Sequence, residues 1–407
     1  MSEPPAPSRR IVSMDQFRGY TVAGMFVVNF LSGLQATPAL LIHHNTYFSY
    51  ADSIFPGFLF AVGFSYRLTA LRRIPRDGTR RAFGHYFQRA MALVLVSIVM
   101  YGFGTGFSDW QRLDAHAVRH FFAVMFKANL WEVLAIIGVT QIFIFPVIAA
   151  SMTTRVLAMT VCLAAHVVLS YAFNFDMVYG RSNGIDALLG TTGIRAWDGG
   201  PLGILAWSVV MLAGSISYDI VAHRQPFDAI RRLLVWGALL MGMGYAASCL
   251  TRLYDVSPGA HVHGRLAASP VWPPWQRAAG RSLPELLVEP PLVPPPPPTA
   301  RQENYWMMGK RVVSASFVLF ASGFSLALYG LFVALCDIWS LRVGVFRTFG
   351  ENPLAAYIIH YMVETSIRPL VPNNSPAWYG LSGFAVFFGI TYLLVRHLEK
   401  HKIYLRL

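Results

Sequence analysis

Residues 42–67 read IHHNTYFSYADSIFPGFLFAVGFSYR, and they indicate the class of fold. Its second part, residues 54–66, is an apolar run long enough to begin a membrane helix. The polar cluster directly before this run consists of His43, His44, Asn45, Thr46, Ser49 and Asp52. Beside lipid, such polar groups are costly unless they face a cavity or each other, so an ionisable residue here is a candidate functional residue.

Composition places the whole chain in the same class. Hydrophobic residues make up 55% of the 407 residues, whereas charged residues make up 13%. Soluble domains carry about 25% charged residues. Apolar runs near the roughly 20 residues that cross a bilayer recur along the whole length, and the sequence lacks the short alternating segments of a β-barrel. We therefore expect an all-α polytopic membrane protein.

We predict about ten transmembrane helices in a single domain that covers residues 1–407. The predicted spans are 19–34, 53–71, 86–107, 130–151, 156–173, 201–221, 233–253, 312–336, 345–367 and 379–395. An even number of spans places both termini on the same side of the membrane, which we expect to be the cytosol. The longest connection, residues 252–311, is then a proline-rich loop on the extracytoplasmic side.

Lys and Arg residues orient these spans, because short cytoplasmic loops carry an excess of both. With the N-terminus in the cytosol, 20 of the 33 basic residues lie on the cytosolic side. The net charge of +13 then reflects this bias and does not indicate nucleic-acid binding, for which the chain has no module. The N-terminus does not resemble a cleavable signal peptide, and most connections are short, so we expect a bacterial inner (plasma) membrane.

Two loops have compositions that predict their roles. The cytosolic loop 72–88 is rich in arginine and suits anionic lipid headgroups or a phosphorylated ligand. The extracytoplasmic loop contains a proline run between Pro290 and Pro298. Such a run favours an extended, polyproline-type spacer over a packed domain.

Three polar residues in or beside the first two spans are the candidates for catalysis. Asn29 lies deep in the first span, where an amide either makes an interhelical hydrogen bond or donates to a reacting carbonyl. His44 is either a hydrated interfacial histidine or a general base, and Asp52 is suited to orient its imidazole. Chemistry alone does not exclude His43 as the base. Ligand spacing typical of zinc is absent, and we expect no metal.

The start of the first helix also carries polar residues. Ser13 and Gln16 fit a capping box, and Asp15 with Arg18 fits an ion pair between positions i and i+3 on one helix face. A structural role explains this pattern better than a direct catalytic one. Arg18 nevertheless remains a candidate for binding an anionic ligand.

Late in the chain, Asn352 and Pro353 interrupt the ninth predicted span. A proline inside a helix removes a backbone donor, so a kinked or broken helix is expected. Broken helices at membrane depth are tolerated only beside protein or a water-filled cavity. Near the sixth span, Asp198 is either an N-cap or, as the minority interpretation, a substrate contact.

Several of these segments together resemble the heparan-α-glucosaminide N-acetyltransferase family. The resemblance is carried by MDQFRG at 14–19, MFVVN at 25–29, HNTY at 44–47, ADSIFPGFLF at 51–60 with Gly63, and FGENPL at 349–354 with Tyr357. Their ordered combination is what makes the resemblance specific. The segments lie within residues 14–63 and 349–357, near the two ends of the chain.

The resemblance implies an acetyltransferase that works across a membrane. Acetyl-CoA would be the donor substrate on the cytosolic side, and the acetyl group would reach an amino sugar or glycan on the extracytoplasmic side. The family's asparagine matches Asn29 and its active histidine matches His44, with an aromatic residue following at Tyr47. Candidate donor-binding residues are Arg18, Arg72, Arg73 and Asn352.

Other functions remain open at this stage. A transporter or lipid flippase would use the polar residues Asn29, His44, Asp52 and His360 to line a pathway. A membrane assembly factor would keep the fold without the chemistry. The expected partners of the transferase are acetyl-CoA, a saccharide acceptor and membrane lipids, and a homodimer is left open.

Overall fold

The computed structural model describes residues 11–107, 109–257 and 264–405, and these residues form helices and no β-strand. The α-helices are α1 (Val12–Leu31), α2 (Tyr50–Asp77), α3 (Thr79–Tyr101), α4 (Ala115–Val124), α5 (Val133–Ile148), α6 (Met152–Leu169), α7 (Phe175–Tyr179), α8 (Gly184–Leu189), α9 (Gly203–Ala222), α10 (Pro226–Cys249), α11 (Leu283–Leu286), α12 (Ala315–Val333), α13 (Gly344–Glu351), α14 (Pro353–Ile367) and α15 (Ala377–Lys400). The all-α class is confirmed.

Seven helical segments within the described residues are long and apolar enough to cross a membrane, which indicates an integral membrane protein. They are Tyr50–Asp77, Thr79–Tyr101, Met152–Tyr179, Gly200–Ala222, Pro226–Tyr254, Ala315–Ile338 and Ala377–Lys400. An eighth span results if Ala115–Asn129 and Val133–Ile148 are taken together, although these segments are bent by 86°. The count of ten spans and the side of each terminus remain predictions.

The ninth predicted span is broken at the expected point. α13 ends at Glu351 and α14 begins at Pro353, while Asn352 between them has φ −133° and ψ 57°. Pro353 has no N–H for the helical ladder, and its ring disfavours helical backbone at the residue before it. The predicted helix break is therefore confirmed.

α2 and α9 form the centre of the bundle. In their most apolar windows, 67% and 72% of the residues are buried, compared with 22% in α3, α10 and α15. The two helices approach closely because glycines face the partner backbone. A Cβ at Gly63 would lie 1.9 Å from the carbonyl oxygen of Met211, and one at Gly214 would lie 2.0 Å from that of Phe60.

A second pair of glycines joins α1 to α13. A Cβ at Gly19 would lie 1.8 Å from the carbonyl oxygen of Phe346, and one at Gly350 would lie 2.0 Å from that of Asp15. Only residues without a side chain permit this backbone contact. It brings the MDQFRG segment and the FGENPL segment together from opposite ends of the chain.

The predicted capping box at the start of α1 is wrong. The N-cap is Ile11, which makes no side-chain cap bond. The Ser13 hydroxyl instead donates to Asp337 at 2.8 Å, and the Gln16 amide exchanges two hydrogen bonds with the backbone of Val343. These side chains therefore bind the distant segment 337–343, which precedes α13, rather than their own helix.

The proline-rich loop folds on itself and contacts the bundle, so the prediction of an extended spacer is wrong. Arg301 is 1% exposed, and its guanidinium is paired with Asp255 and Glu289. The backbone N–H of Leu292 donates to the carbonyl of Phe48 at 2.9 Å. The ion pairs of Arg301 join parts of the loop to each other. The hydroxyl of Tyr245 in α10 donates to the carbonyl of Val288 at 2.7 Å and connects the loop to the bundle. The loop thereby covers the end of the polar cluster before α2.

Candidate functional site

Two cavities inside the bundle meet at the side chains of Phe58 and Tyr357. The first, which we call the arginine cavity, has a volume of about 660 Å³. It is named for three of its lining side chains, Arg18, Arg73 and Arg89. The second, the histidine cavity, has a volume of about 170 Å³ and is lined in part by His43. Phe58 of α2 and Tyr357 of α14 line both cavities.

One face of α2 forms a wall of the arginine cavity. The lining residues of this face are Phe58, Val62, Ser65, Tyr66, Thr69 and Arg73. Their mostly three- and four-residue spacing is that of one side of a helix. Phe58 and Arg73 are 15 positions apart, which corresponds to about 22 Å at 1.5 Å per residue. The wall therefore suits an elongated ligand with an anionic end near Arg73.

The guanidinium of Arg18 is held at the wall of this cavity by two helices. It donates to the hydroxyl of Ser65 in α2 at 2.6 Å and to the carbonyl of Gly350 in α13 at 3.2 Å. The expected ion pair with Asp15 is confirmed, with a separation of 3.4 Å. A fixed guanidinium of this kind is well suited to bind a phosphate or carboxylate.

The structure separates the predicted donor-binding arginines. Arg18 and Arg73 line the arginine cavity, whereas Arg72 is exposed and does not. Successive helical residues point about 100° apart, so two neighbouring arginines cannot both face one cavity. Arg89 of α3, which was not among the candidates, is the third arginine of the lining.

Asn352 is not a lining residue of the arginine cavity. It is 1% exposed, and its side-chain amide binds the C-terminal tail. The Nδ2 atom donates to the carbonyl of Ile403 at 2.9 Å, and Oδ1 accepts from the N–H of Leu405 at 3.1 Å. Asn352, at the break between α13 and α14, thus binds the C-terminal segment. The sequence had predicted that it would bind the acyl donor.

The imidazole of His43 faces the histidine cavity and is oriented by Asp52. Its Nδ1 lies 2.9 Å from Oδ1 of Asp52, whose side chain is fully buried. The other carboxylate oxygen accepts from the backbone N–H groups of Ser49 and His44, both at 3.2 Å. Because an ionised carboxylate only accepts, Nδ1 carries the hydrogen and Nε2 keeps a lone pair. This Nε2 makes no hydrogen bond to a described residue.

The predicted pairing of Asp52 with the imidazole of His44 is wrong. The ring of His44 turns away, with Nε2 2.8 Å from the carbonyl of Ala39, and it stacks on Tyr47 with the centroids 4.2 Å apart. It does not line the histidine cavity. Adjacent side chains outside a helix project in different directions. Only His43 therefore faces both Asp52 and the cavity.

Asn29 lies in the wall of the histidine cavity, on α1. Its Nδ2 is 3.5 Å from Nε2 of His360 in α14, at the outer limit of a hydrogen bond. The His360 ring is 1% exposed and stacks on Phe26, with centroids 4.9 Å apart. The amide thus has both an interhelical contact and access to the cavity.

Two charged residues of this cavity were missed by sequence reasoning as parts of a site. Lys310 and Glu132 both line it. The ammonium of Lys310 lies 5.8 Å from the ring centroid of Phe55 and 3.7 Å from Oδ1 of Asp198. The signal in the sequence is their position, because Glu132 lies within a predicted apolar span and Lys310 lies just before one.

Asp198 is not the N-cap that its position indicated, since the N-cap of α9 is Leu202. Its buried Oδ1 has no hydrogen-bond partner among the described residues. Burial raises the pKa of this carboxyl, Asp52 raises it further, and Lys310 and His43 oppose the shift. Asp198 is therefore close enough to Asp52, Lys310 and His43 for the charges of these groups to affect its pKa.

Within residues 11–107, 109–257 and 264–405, no three His, Cys, Asp or Glu side chains are grouped closely enough to hold a metal ion. No model of a known protein family and no curated protein sequence matches the chain. The two cavities, together with the motif resemblance, which remains a prediction, are therefore the features that bear on function.

Proposed function

We propose that this protein is a transmembrane acyltransferase. In this proposal, acetyl-CoA or another short acyl-CoA binds in the arginine cavity from the cytosol. The acyl group passes to a hydroxyl or amine of an extracytoplasmic saccharide, of which an amino sugar is the leading candidate, in the histidine cavity. The motif resemblance and the chemistry of the two cavities support the same reaction class.

The observation that carries the proposal is the meeting of the two cavities at Phe58 and Tyr357. Asp52, which holds the catalytic base, and Arg73 are 21 positions apart on α2. At 1.5 Å per residue this is about 32 Å, close to the roughly 30 Å thickness of a bilayer core. A donor and an acceptor that approach from opposite faces would meet at the junction.

The donor fits the arginine cavity by charge and shape. The phosphates of CoA are anionic, and Arg18, Arg73 and Arg89 supply guanidinium groups. The pantetheine arm is long and mostly uncharged, like the face of α2 that leads from Arg73 to Phe58. This arrangement would place the thioester near the junction and the phosphates near the cytosolic surface.

The residues of the histidine cavity supply the chemistry of transfer. The amine nitrogen or hydroxyl oxygen of the acceptor attacks the thioester carbonyl carbon, and Nε2 of His43 removes the proton from that attacking atom. Asn29 donates a hydrogen bond to the carbonyl oxygen as negative charge develops. The C–S bond then breaks, sulfur takes the electron pair, and His43 returns the proton to the thiolate. Asp52 keeps the imidazole in the required tautomer throughout.

The test compares His43→Ala with His44→Ala in proteoliposomes. Labelled acetyl-CoA is supplied on one side, and glucosamine, galactosamine and mannosamine on the other. We expect wild type and His44→Ala to form labelled N-acetyl sugar, and His43→Ala to lose at least 100-fold in rate, because a general base contributes about 10²- to 10⁴-fold. Equal rates in wild type and His43→Ala would exclude the assigned base. No labelled product from wild type, either with these amino sugars or with a lipid-linked glycan supplied in their place, would exclude the transferase.

A transporter remains the second candidate, because two cavities separated by two aromatic side chains also suit alternating access. Ligand binding to the folded state distinguishes them. At 100 times its Kd, acetyl-CoA stabilises a protein that binds it by about 2.7 kcal/mol. We expect a rise in Tm with acetyl-CoA that is reduced in Arg18→Gln. No rise at millimolar acetyl-CoA favours the transporter.

A further inference from the structure

Tyr357 occupies the one place on α14 that both cavities share, and its hydroxyl is paired with that of Tyr101. Its side chain is 3% exposed. The two hydroxyl oxygens lie 2.7 Å apart, and Tyr101 of α3 also lines the histidine cavity. The phenol pair therefore stands at the point that a donor and an acceptor would reach from opposite sides.

The pair has one hydrogen more than it uses. Two hydroxyl groups that bond only to each other share one hydrogen bond, so one O–H hydrogen stays available. Neither hydroxyl makes another hydrogen bond to a described residue. If Tyr101 donates to Tyr357, the available hydrogen belongs to Tyr357, whose ring lies at the junction.

Packing holds the Tyr357 ring in this position. Its ring meets His360 nearly edge-on, with centroids 5.2 Å apart and an interplanar angle of 68°. His360 in turn contacts the amide of Asn29. His360 thus contacts both Tyr357 of α14 and Asn29 of α1, and these two residues line the histidine cavity.

We propose that the Tyr357 hydroxyl, oriented by Tyr101, is a second hydrogen-bond donor to the thioester oxygen, opposite Asn29. This inference rests on the proposed acyl transfer. As the acceptor attacks the carbonyl carbon, the C=O electron pair moves onto oxygen, and the O–H of Tyr357 binds this charge without giving up its proton. When the charge returns to carbon, the C–S bond breaks and the thiolate leaves. Tyr357 is thus a catalytic residue, and Tyr101 is its positioning residue.

A structural role would give the pair a different signature. Two tyrosines that only connect α3 and α14 would contribute to stability, and their removal would lower Tm without a selective effect on kcat. Donors to a developing oxyanion act mainly in the transition state. Their loss lowers kcat and leaves KM nearly unchanged.

The experiment uses full-length protein in proteoliposomes, with labelled acetyl-CoA and glucosamine as probes. We expect Tyr357→Phe to lower kcat about 10²- to 10³-fold, as for loss of one oxyanion donor, with KM for acetyl-CoA and Tm within error of wild type. Tyr101→Phe should lower kcat less, about 10-fold, since it disturbs only the orientation of the donor. The double variant should match Tyr357→Phe alone, because Tyr101 acts through Tyr357.

The outcomes separate this inference from the proposed function. An active wild type with an unchanged kcat in Tyr357→Phe overturns the role of Tyr357 and leaves acyl transfer intact. A wild type without transfer overturns both. If Tyr357→Phe loses thermal stability, the kinetics of Tyr101→Phe are the deciding measurement. A lower kcat of this variant at unchanged KM and Tm supports the inference. A kcat equal to that of wild type overturns it.

Discussion

At the scale of single residues, His43 and His44 show how two identical side chains, adjacent in the chain, come to differ. Both precede α2, and both are connected to Asp52. His43 is connected through its ring at 2.9 Å, and His44 through its backbone N–H at 3.2 Å. The choice depends on the direction in which each side chain leaves the backbone. Residue chemistry correctly predicted that a histidine pairs with Asp52. Which of the two histidines does so became clear only from the folded structure.

The pairing makes Asp52→Asn a specific test at this scale. Asparagine keeps the volume and can still accept from the Ser49 N–H, but its neutral amide stabilises the His43 imidazolium less and can hold the wrong tautomer. In a serine protease the equivalent change lowers kcat by about 10⁴-fold, and we expect a loss of at least 100-fold here. The measurement is kcat with acetyl-CoA, with Tm as the control for folding. A rate within twofold of wild type would contradict the orienting role.

At the scale of secondary structure elements, α2 connects the two halves of the proposed site. Its first turn contains Asp52, its third turn contains Phe58 at the junction, and its last two turns contain Arg73. Between Phe58 and Arg73, Gly63 allows α9 to pack directly against the backbone of α2, which fixes the helix in the bundle. Hydrophobicity alone predicted α2 as a span, but close approach of two backbones has no signature in hydrophobicity.

This contact predicts a large effect of Gly63→Ala. The new methyl group would lie 1.9 Å from a backbone oxygen of Met211, which cannot move aside as a flexible side chain does. Overpacking of a core typically costs about 1 to 3 kcal/mol, and we expect the upper part of this range or more.

Gly242→Ala is the matched control, because a Cβ on this α10 glycine meets no atom within 4 Å. Alanine there should leave stability unchanged or raise it slightly, since glycine is about 1 kcal/mol worse than alanine inside a helix. Thermal unfolding in detergent measures both variants. Equal Tm values for the two would show that α2 and α9 are not in close contact.

At the scale of the whole molecule, the proposed reaction depends on sidedness. The arginine cavity must open to the cytosol and the histidine cavity to the other face. The distribution of Lys and Arg predicts this orientation. α3 connects the two faces, with Arg80 in its first turn and Trp110 nine residues after its end.

Cysteine labelling tests this orientation directly. In a background with Cys162, Cys249 and Cys336 replaced by alanine, Arg80→Cys and Trp110→Cys place a thiol at exposed positions. We expect a membrane-impermeant maleimide to label Trp110→Cys in intact cells and Arg80→Cys only after permeabilisation. Labelling of Arg80→Cys in intact cells would reverse the predicted topology and place the arginine cavity away from cytosolic CoA.

The membrane class, the helical architecture, the break before Pro353 and a histidine–aspartate pair in the candidate site were predictable from the sequence. These follow from hydrophobic content, helix length and proline geometry, which are local properties of the chain. The folded structure was needed to show that His43 faces Asp52, that Asn352 binds residues 403–405, that the proline-rich loop contacts the bundle, and that Phe58 and Tyr357 line both cavities. Each of these depends on side-chain direction and on contacts between segments far apart in sequence, and no local pattern of residues encodes them.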